Sequence, residues 1–378
     1  MLATSPTEKK RMTIERIDIL NFKNIPEAQL EFSSGVNCLL GSNGMGKSNL
    51  LEAIHFLCMA RPMASIPEAG LLRHGEELMS VKGAFLMDNS SAEKVNIGIV
   101  KGKGKSLKRN GKEYDRISNH IGRFPIVTVT PSDSELVRGP AQERRRMTDM
   151  VISQANASYL SELIRYNRAL ETRNSMLRAG NSDPLLFESV ENGMAEAAAL
   201  VSEERRKWVE MISPFVSNIY AEIAGNNESL KIGYKSSLNE HSMQELFERN
   251  RGKDAALGYT SAGIHRDDIT TELNGFSLKN YGSQGQVKTF TIAMRLAIFN
   301  YLKQTDGETP LLLLDDIFDK LDSLRVGRIM NLVSHTGDFG QIFITDTNRE
   351  HLDETLASLS GSKQLIEVSH GSFSILQG

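Results

Sequence analysis

No run of apolar residues in the chain approaches the ~18–20 that a membrane-spanning helix needs, so nothing in it reads as a bilayer anchor. The stretch Met1 to Arg11 is polar and lacks the apolar centre of a secretory leader; it reads as a loose tail. Cysteine is scarce. Cys38, in an apolar strand-like run, and Cys58, in a helix-like one, fall in no metal-ligand spacing and read as buried free thiols of a reducing compartment. Charge of one sign is also lacking: a formal net charge of −3 over 378 residues excludes a protein that coats nucleic acid indiscriminately. Any such contact has to come from local patches. The remainder, 40% hydrophobic and 24% charged, is ordinary globular usage in a chain long enough for two or three core-bearing units.

Against this plain background stands Gly41-Ser42-Asn43-Gly44-Met45-Gly46-Lys47-Ser48, a complete G-x-x-x-x-G-K-[ST] loop. The apolar run Gly35 to Leu40 precedes it as a buried strand, and Asn49 to Leu57 follows with helical apolar spacing. In such a setting glycines let backbone N–H groups turn inward around phosphates, and the helix N-terminus adds a favourable field. Lys47 reaches the β/γ oxygens and the Ser48 hydroxyl suits Mg²⁺. These residue types predict a nucleoside triphosphate held with magnesium.

A second half-site lies 267 positions beyond Ser48 in sequence (315 minus 48), in Thr309-Pro310-Leu311-Leu312-Leu313-Leu314-Asp315-Asp316 and on to Asp322. Four leucines ending in two carboxylates describe a central parallel strand, buried on both faces, that delivers acids at its C-terminal end. In this Walker B pattern Asp315 is expected to hold the magnesium shell and Asp316 to orient or deprotonate the attacking water. The separation is far too long for a compact single-domain GTPase, so something is inserted between the half-sites.

Shortly before that strand, Tyr281-Gly282-Ser283-Gln284-Gly285-Gln286 opens a helix, placing a hydroxyl, backbone amides and a helix N-terminus together. In this order of motifs, Ser283, Gly285 and Gln286 resemble the signature loop of the ABC-type ATPases. That resemblance implies a signature that meets the γ-phosphate held by a partner subunit, and hence an ATP-sandwiched homodimer. Gly340 to Thr347 reads as the next strand; where the ABC family usually places a histidine switch at its tip, this chain offers Thr345, Asp346 and Thr347.

Further motifs sharpen the resemblance. Met12 to Asn24, the phosphate loop with Leu51-Glu52-Ala53-Ile54, Leu136-Val137-Arg138-Gly139-Pro140 with Glu143 to Arg146, Tyr166 through Asn174, Gly263 to Asp268 and the Ser-Gln-Gly-Gln signature occur together in one order. The chain from about residue 12 onward thereby resembles the bacterial RecF family of recombination mediators. It departs from the family pattern at Ile264, usually proline, at Lys288, usually arginine, and in Arg61-Pro62-Met63-Ala64, which lacks a usual arginine. Asp316 replaces the glutamate of most ABC ATPases but is itself RecF-like. None of these departures removes a phosphate or magnesium ligand. The resemblance implies binding to gapped or junction DNA and cooperation with RecR and RecO to load recombinase.

Three basic clusters are candidates for DNA contact: Lys101 to Lys112, Arg144 to Arg146, and Arg205 to Lys207. The first reads as a hairpin with an Asn110-Gly111 turn that holds Lys103, Lys105, Lys108 and Arg109 on an exposed ribbon. A merely solvated face remains the alternative for each cluster.

Between the half-sites, Leu160, Leu163, Asn167, Leu170, Asn174 and Leu177 repeat at coiled-coil spacing. After Gly180 to Pro184 the pattern returns through Leu186, Val190, Met194, Ala197, Val201, Trp208 and Ile212. An antiparallel helical arm is expected, its returning helix roughly 40 Å long at ~1.5 Å per residue. Ser213-Pro214 reads as the cap of a new, shorter helix. The arm is either purely structural or shapes a groove for DNA or partners. His265-Arg266-Asp267-Asp268 reads as ion-paired support for the signature loop, with γ-phosphate sensing as the alternative.

The reading is an α/β, ABC-type P-loop ATPase head assembled from both chain ends, with an inserted antiparallel helical arm. Its expected divisions are a tail (1–12), a lobe with phosphate loop and basic hairpin (13–150), the arm and connector (151–255), and a lobe with signature and Walker B (256–378). The expected function is that of a cytoplasmic DNA-repair ATPase using ATP and Mg²⁺, with no membrane partner. An ABC transporter subunit and a nucleotide-locked DNA-binding scaffold with negligible turnover stay open as rivals. A topoisomerase-primase nuclease module finds no room after Asp316.

Overall fold

A computed structural model of the chain describes residues 11–64, 66–181, 183–225, 228–306, 308–317, 321–335, 339–358 and 361–377. Most of the expected tail, Ser182 of the expected arm turn, and Phe318, Asp319 and Lys320 of the Walker B stretch lie outside the described residues. By internal packing the chain divides into two units, Met1–Pro131 with Ile298–Gly378, and Ser132–Ala297.

The first unit holds two sheets with a helix between them. Strands β1 (Thr13–Phe22), β2 (Ile25–Glu31), β4 (Leu78–Leu86), β5 (Ala92–Val100), β6 (Gly104–Arg109) and β7 (Lys112–Glu113) form an antiparallel sheet in the order β2-β1-β4-β5-β6-β7. Its strands alternate buried and exposed positions, as a half-covered sheet must. Ile17, Ile19, Val81, Phe85, Val95, Ile97 and Leu107 turn inward.

The second sheet has the order β15-β14-β3-β13-β12-β8, from β3 (Val36–Leu40), β8 (Ile126–Val129), β12 (Leu311–Asp315), β13 (Ile342–Asp346), β14 (Lys363–Ser369) and β15 (Ser372–Gln377). All its neighbours pair in parallel except β15, which closes the edge as a hairpin on β14. Every residue of β12 and β13 is buried, which accounts for the unbroken apolar runs there. Strand β3 comes from the start of the chain and pairs with β13 and β14 from its end. The fully buried Gln341 side chain tightens that junction, accepting from Ile14 N–H at 2.8 Å and donating to the carbonyls of Ile14 at 2.9 Å and Ser33 at 2.7 Å.

Helix α1 (Lys47–Met59) is buried on nearly every side, because both sheets pack on it. Gly83 on β4 lets it approach: a Cβ there would lie 2.7 Å from Leu57 Cδ1. Helices α9 (Ser323–His335) and α10 (Arg349–Ser358) complete this unit.

In the second unit, α2 (Glu135–Arg138) and α3 (Ala141–Ala155) lead into α4 (Ala157–Arg178) and α5 (Pro184–Ala224), which run antiparallel. Then follow β9 (Leu230–Lys235), α6 (Met243–Leu257), β10 (Asp268–Leu273), β11 (Phe276–Ser277), α7 (Leu278–Tyr281) and α8 (Gln284–Asp306), which continues past the division. Strands β11, β10 and β9 form a small antiparallel sheet.

Two expectations for the arm are corrected. Helix α5 does not restart at Ser213-Pro214: it is continuous for 41 residues, about 60 Å at ~1.5 Å per residue, with Pro214 inside it. The proline removes one N–H, but the carbonyl it frees belongs to exposed Glu210, and Ser213 Oγ donates to Val209 O at 2.6 Å. Burial of Ile212, Val216, Ile219, Tyr220 and Ile223 holds the helix through the defect.

The seam of α4 is also displaced by one position. Its buried residues are Tyr159, Tyr166, Arg173 and Met176, while Leu160, Leu163, Leu170 and Leu177 are half-buried and Asn167 is exposed. The seam is polar because it carries ion pairs. Arg173, 1% exposed, donates to Glu191 Oε1 at 2.9 Å, Asp254 Oδ2 at 2.7 Å and Thr260 Oγ1 at 2.9 Å, and its guanidinium lies 4.6 Å from the Phe247 ring centre. Arg205 does the same between Asp149 and Asp267.

Removing one partner of such a network strands the others. Arg173→Met leaves the Asp254 carboxylate buried without its cation and Glu191 with only Arg251, 3.9 Å away, and is expected to destabilise the second unit by about 3–5 kcal/mol. Trp208, the only tryptophan and buried on α5, reports this unit's unfolding in a urea titration followed by fluorescence. A midpoint unchanged from the wild type would show that the ion pairs carry no weight.

Candidate nucleotide site and its neighbours

Residues 41–46 of the phosphate loop join β3 to α1, whose first residues are Lys47 and Ser48. Gly44 and Gly46 sit at φ 79° and 117°, the left-handed region where a side chain is strained. A Cβ on Gly46 would come within 3.0 Å of Asn24 Oδ1, and one on Gly41 within 2.4 Å of Val368 O. The glycines are therefore demanded by close approach as well as by turning. Three other segments hold the loop from outside. Asn24, in the β1–β2 turn, donates to Gly44 O at 3.2 Å and accepts from Asn49 Nδ2 at 2.7 Å, while Arg73 donates to Asn24 O at 3.0 Å. The β14–β15 turn adds Gly371 N–H to Met45 O at 2.8 Å.

Lys47 is 7% exposed and donates from Nζ to Gly41 O at 2.5 Å and Ser42 O at 3.1 Å. Burial lowers its pKa, and the negative charges of Asp316, Asp315 and Asp346 push it back up. Ser48 Oγ donates to Asp315 Oδ1 at 2.9 Å, joining residues 267 positions apart. Thr345 Oγ1, from the tip of β13, donates to that same oxygen at 2.7 Å. Burial raises the Asp315 pKa, and the hydrogen bonds from Thr345 and Ser48 oppose that rise. Asp316 follows at φ 48°, in the left-handed region, with its N–H donating to Thr345 Oγ1 at 2.9 Å.

This donor set suits a phosphate chain with a hard cation: a glycine cradle at a helix N-terminus, one lysine, and a hydroxyl beside a carboxylate. Among the described residues no group of three His, Cys, Asp or Glu could hold a metal by itself. A cation bound here therefore takes most of its ligands from phosphate and water, as magnesium does at triphosphate sites.

The signature lies in the second unit. Ser283 and Gln286 form a reciprocal cap at the start of α8: Ser283 N–H donates to Gln286 Oε1 at 2.8 Å, and Gln286 N–H donates to Ser283 Oγ at 3.2 Å. Ser283 is exposed and its hydroxyl proton remains available to a ligand. Gln286 Nε2 donates to Glu228 Oε1 at 2.7 Å, and Arg138 donates to Gly282 O at 2.7 Å, so the loop and Gly285 within it are pinned on both sides.

His265 supports this unit. Its Nδ1 lies 2.7 Å from the Tyr166 hydroxyl and its Nε2 3.0 Å from Thr260 O, and burial lowers its pKa to about 4. Both ring nitrogens are engaged within the second unit, by Tyr166 and Thr260 rather than by the signature loop, so His265 supports this unit and its contacts do not reach that loop.

The basic clusters divide. The Asn110-Gly111 turn forms as expected, with φ of 51° and 81°. Lys105 and Arg109, however, share the inner face with buried Leu107: Lys105 pairs with Glu68 and donates to Ala60 O at 2.7 Å, and Arg109 forks onto Glu93. Those two are corrected from exposed cations to internal ion pairs. Lys103 and Lys108 face solvent, as does Lys112, and among the described residues none of the three makes an ion pair. Arg144 is 6% exposed, forked onto Asp268 at 2.7 and 3.0 Å. Arg205 is buried as described, and Arg206 and Lys207 pair with Glu203 and Glu204.

Sequence reasoning leaves two residues of the site without a role. Asn24 reads as one more residue of a motif, though its place in a two-residue turn between strands marks it for backbone contacts. Thr345 reads as the place where a histidine is absent, and only the strand register reveals that its hydroxyl meets both acids.

Comparison with known proteins identifies the lineage of this site. The chain matches the RecF/RecN/SMC N terminal domain family over residues 13–369. It is 45% identical over 361 residues to the DNA replication and repair protein RecF of Porphyromonas gingivalis strain W83, covering 95% of this chain and 99% of that one. To the RecF of Parabacteroides distasonis it is 42% identical over 360 residues, covering 95% and 98%. A solved structure of the recombination mediator protein RecF with ATP, in the RecFOR pathway, superposes with a TM-score of 0.88 at 28% identity, covering 99% of this chain and 100% of the other. The Smc head domain of Pyrococcus furiosus, solved with an extended coiled coil, gives a TM-score of 0.58 at 17% identity, a likeness of fold alone, covering 97% and 96%. With an ABC-type ATPase head built from both chain ends and near full-length identity above 40%, this chain belongs to the RecF family.

Proposed function

We propose that this protein is an ATP-dependent DNA-binding switch of recombinational repair and replication-fork maintenance, acting in the cytoplasm. The observation that carries it is the hydrogen bond between Ser48 and Asp315, which brings a phosphate loop and a strand-end acid together at 2.9 Å. Family membership supports ATP as the nucleotide, since a relative has been solved with it.

In this reading the amides of residues 41–46 and Lys47 bind the phosphates, Ser48 and Asp315 hold Mg²⁺, and Asp316 orients the attacking water. Magnesium supplies charge neutralisation on the transferred phosphoryl group. Two copies close on two nucleotides, each Ser283 loop donating to the γ-phosphate held by the other copy. Closure assembles a DNA-binding surface for gaps or junctions, RecO and RecR join it to load recombinase, and slow hydrolysis reopens it. Full-length relatedness to RecF proteins favours this over a transporter subunit. Steady-state phosphate release separates it from a nucleotide-locked scaffold.

Three outcomes test the reading. Lys47→Ala deletes the phosphate-facing cation from a backbone-built cradle and is expected to abolish ATP binding in calorimetry while unfolding remains as in the wild type. Retained affinity would remove ATP from the site.

Asp316→Asn is expected to keep the fold, because asparagine tolerates the left-handed φ that this position requires. It should bind ATP, hydrolyse it about 10²- to 10⁴-fold more slowly, and accumulate as a dimer in light scattering. A variant that stays monomeric with ATP contradicts the sandwich.

DNA binding is assigned to Lys103, Lys108 and Lys112. Replacing all three with alanine should weaken ATP-dependent binding to gapped DNA and flatten its salt slope by up to ~0.9 for each phosphate left without its lysine. Replacing Lys105 and Arg109 should instead lower stability. Anisotropy titrations across salt distinguish the two, and an unchanged slope in the triple variant excludes the hairpin.

A further inference from the structure

Strands β12 and β13 pair in parallel with Asp315 opposite Thr345, so the hydroxyl of one strand tip lies against the acids of the other. Thr345 is fully buried. A hydroxyl has one proton to give, and here the assignment is forced by its neighbours. Its oxygen accepts the Asp316 N–H at 2.9 Å, and Asp315 Oδ1, an acceptor when ionised, takes its proton at 2.7 Å. One side chain thus grips the backbone of one acid and the carboxylate of the other.

The backbone it grips is in an uncommon conformation. Asp316 at φ 48° sits in the left-handed region, which aspartate enters more readily than most residues but holds only where neighbours favour it. Were the peptide to relax, the Asp316 carboxylate would swing away from the end of β12. The enforcing contact on the peptide N–H is the Thr345 hydroxyl.

We propose that Thr345 is a positioning residue for ATP hydrolysis, locking Asp316 in its left-handed turn and setting the Asp315 carboxylate in register with Ser48. The inference rests on the ATPase reading above and assigns to Thr345 a role in turnover rather than in nucleotide affinity. Neither Gly44 to Lys47 nor Ser283 depends on this hydroxyl, so the phosphate cradle stays intact without it.

Thr345→Val preserves shape and removes both hydrogen bonds; Thr345→Ser keeps both and drops a methyl group. In magnesium-dependent phosphate release with full-length protein, the valine variant is expected to lose about 10²-fold in kcat, the scale of a misplaced catalytic group. Its ATP dissociation constant, from calorimetry, should stay within about 3-fold of wild type, and the serine variant should restore kcat to within about 3-fold. A third variant, Thr345→Cys, with its weaker donor and acceptor, is expected to fall between them and covers the case in which valine does not fold. Equal kcat in wild type and in the valine or cysteine variant overturns the inference while leaving the ATPase reading in place. So does a serine variant as slow as valine. No turnover by the wild type itself overturns both.

Discussion

The register between strands from opposite ends of the chain is the constraint on which the nucleotide site depends. Residues 36–40 carry the phosphate loop, residues 311–315 carry the acids, and neither pairs with the other: β13 lies between and sets both. Ile344 lies beside Cys38, and Leu314 beside Ile344, so one strand places Ser48 and Asp315 at hydrogen-bond distance. A slip of one residue would invert which side chains face the site, and the cost would fall on every buried position of a sheet covered on both faces. The Gln341 side chain opposes such a slip, because its three hydrogen bonds, to Ile14 and Ser33, form at one register only.

The part of the site legible in the sequence is the part built from backbone. A glycine-lysine-serine loop after an apolar strand has one common geometry, and the loop forms it. Four leucines and two aspartates likewise describe a buried strand with acids at its tip, and β12 is that strand. What the sequence does not expose is governed by partners distant in the chain. Apolar spacing assigns the α4 seam to leucines, because apolar residues usually occupy seams. Yet Arg173 and Tyr166 are buried there, their polar atoms satisfied by Asp254, Glu191, Thr260 and His265. Pro214 reads as a helix start because an isolated helix rarely tolerates an internal proline, but tertiary burial over the next three turns outweighs the missing hydrogen bond. The hairpin cations, by contrast, can be sorted from sequence. Period-two alternation puts residues 105, 107 and 109 on one face, and Leu107 marks that face as the inner one.

Electrostatics within the first unit converge on one point. Burial works against the charge of Lys47 and against the ionised form of Asp315, and each is restored by the other's kind: aspartates for the lysine, hydroxyl donors and the lysine for the aspartate. The arrangement stores opposed tendencies in a small volume, which is what a site has to do if a highly charged ligand is to displace protein contacts there. The carbonyls of Gly41 and Ser42 that accept from Lys47 are neutral and weaker partners than a phosphate oxygen, so the ammonium can exchange them for an anion at a net gain.

The same pairing of charges withdraws several of the chain's 44 lysines and arginines from any DNA-binding surface. Arg109, Arg144, Arg173, Arg205 and Arg295 are each committed to a carboxylate within the fold, and Lys105 is as well. On the proposed reading, one copy brings the hairpin lysines Lys103, Lys108 and Lys112, and about three phosphate contacts give a salt slope near ~2.7 and weak binding. Two copies acting together double the contacts, and affinity then rises with the product of two weak interactions rather than their sum. On that reading a slightly acidic protein stays off DNA as a monomer and holds it as a dimer, and control by nucleotide follows from the doubling of weak contacts as well as from the geometry of closure.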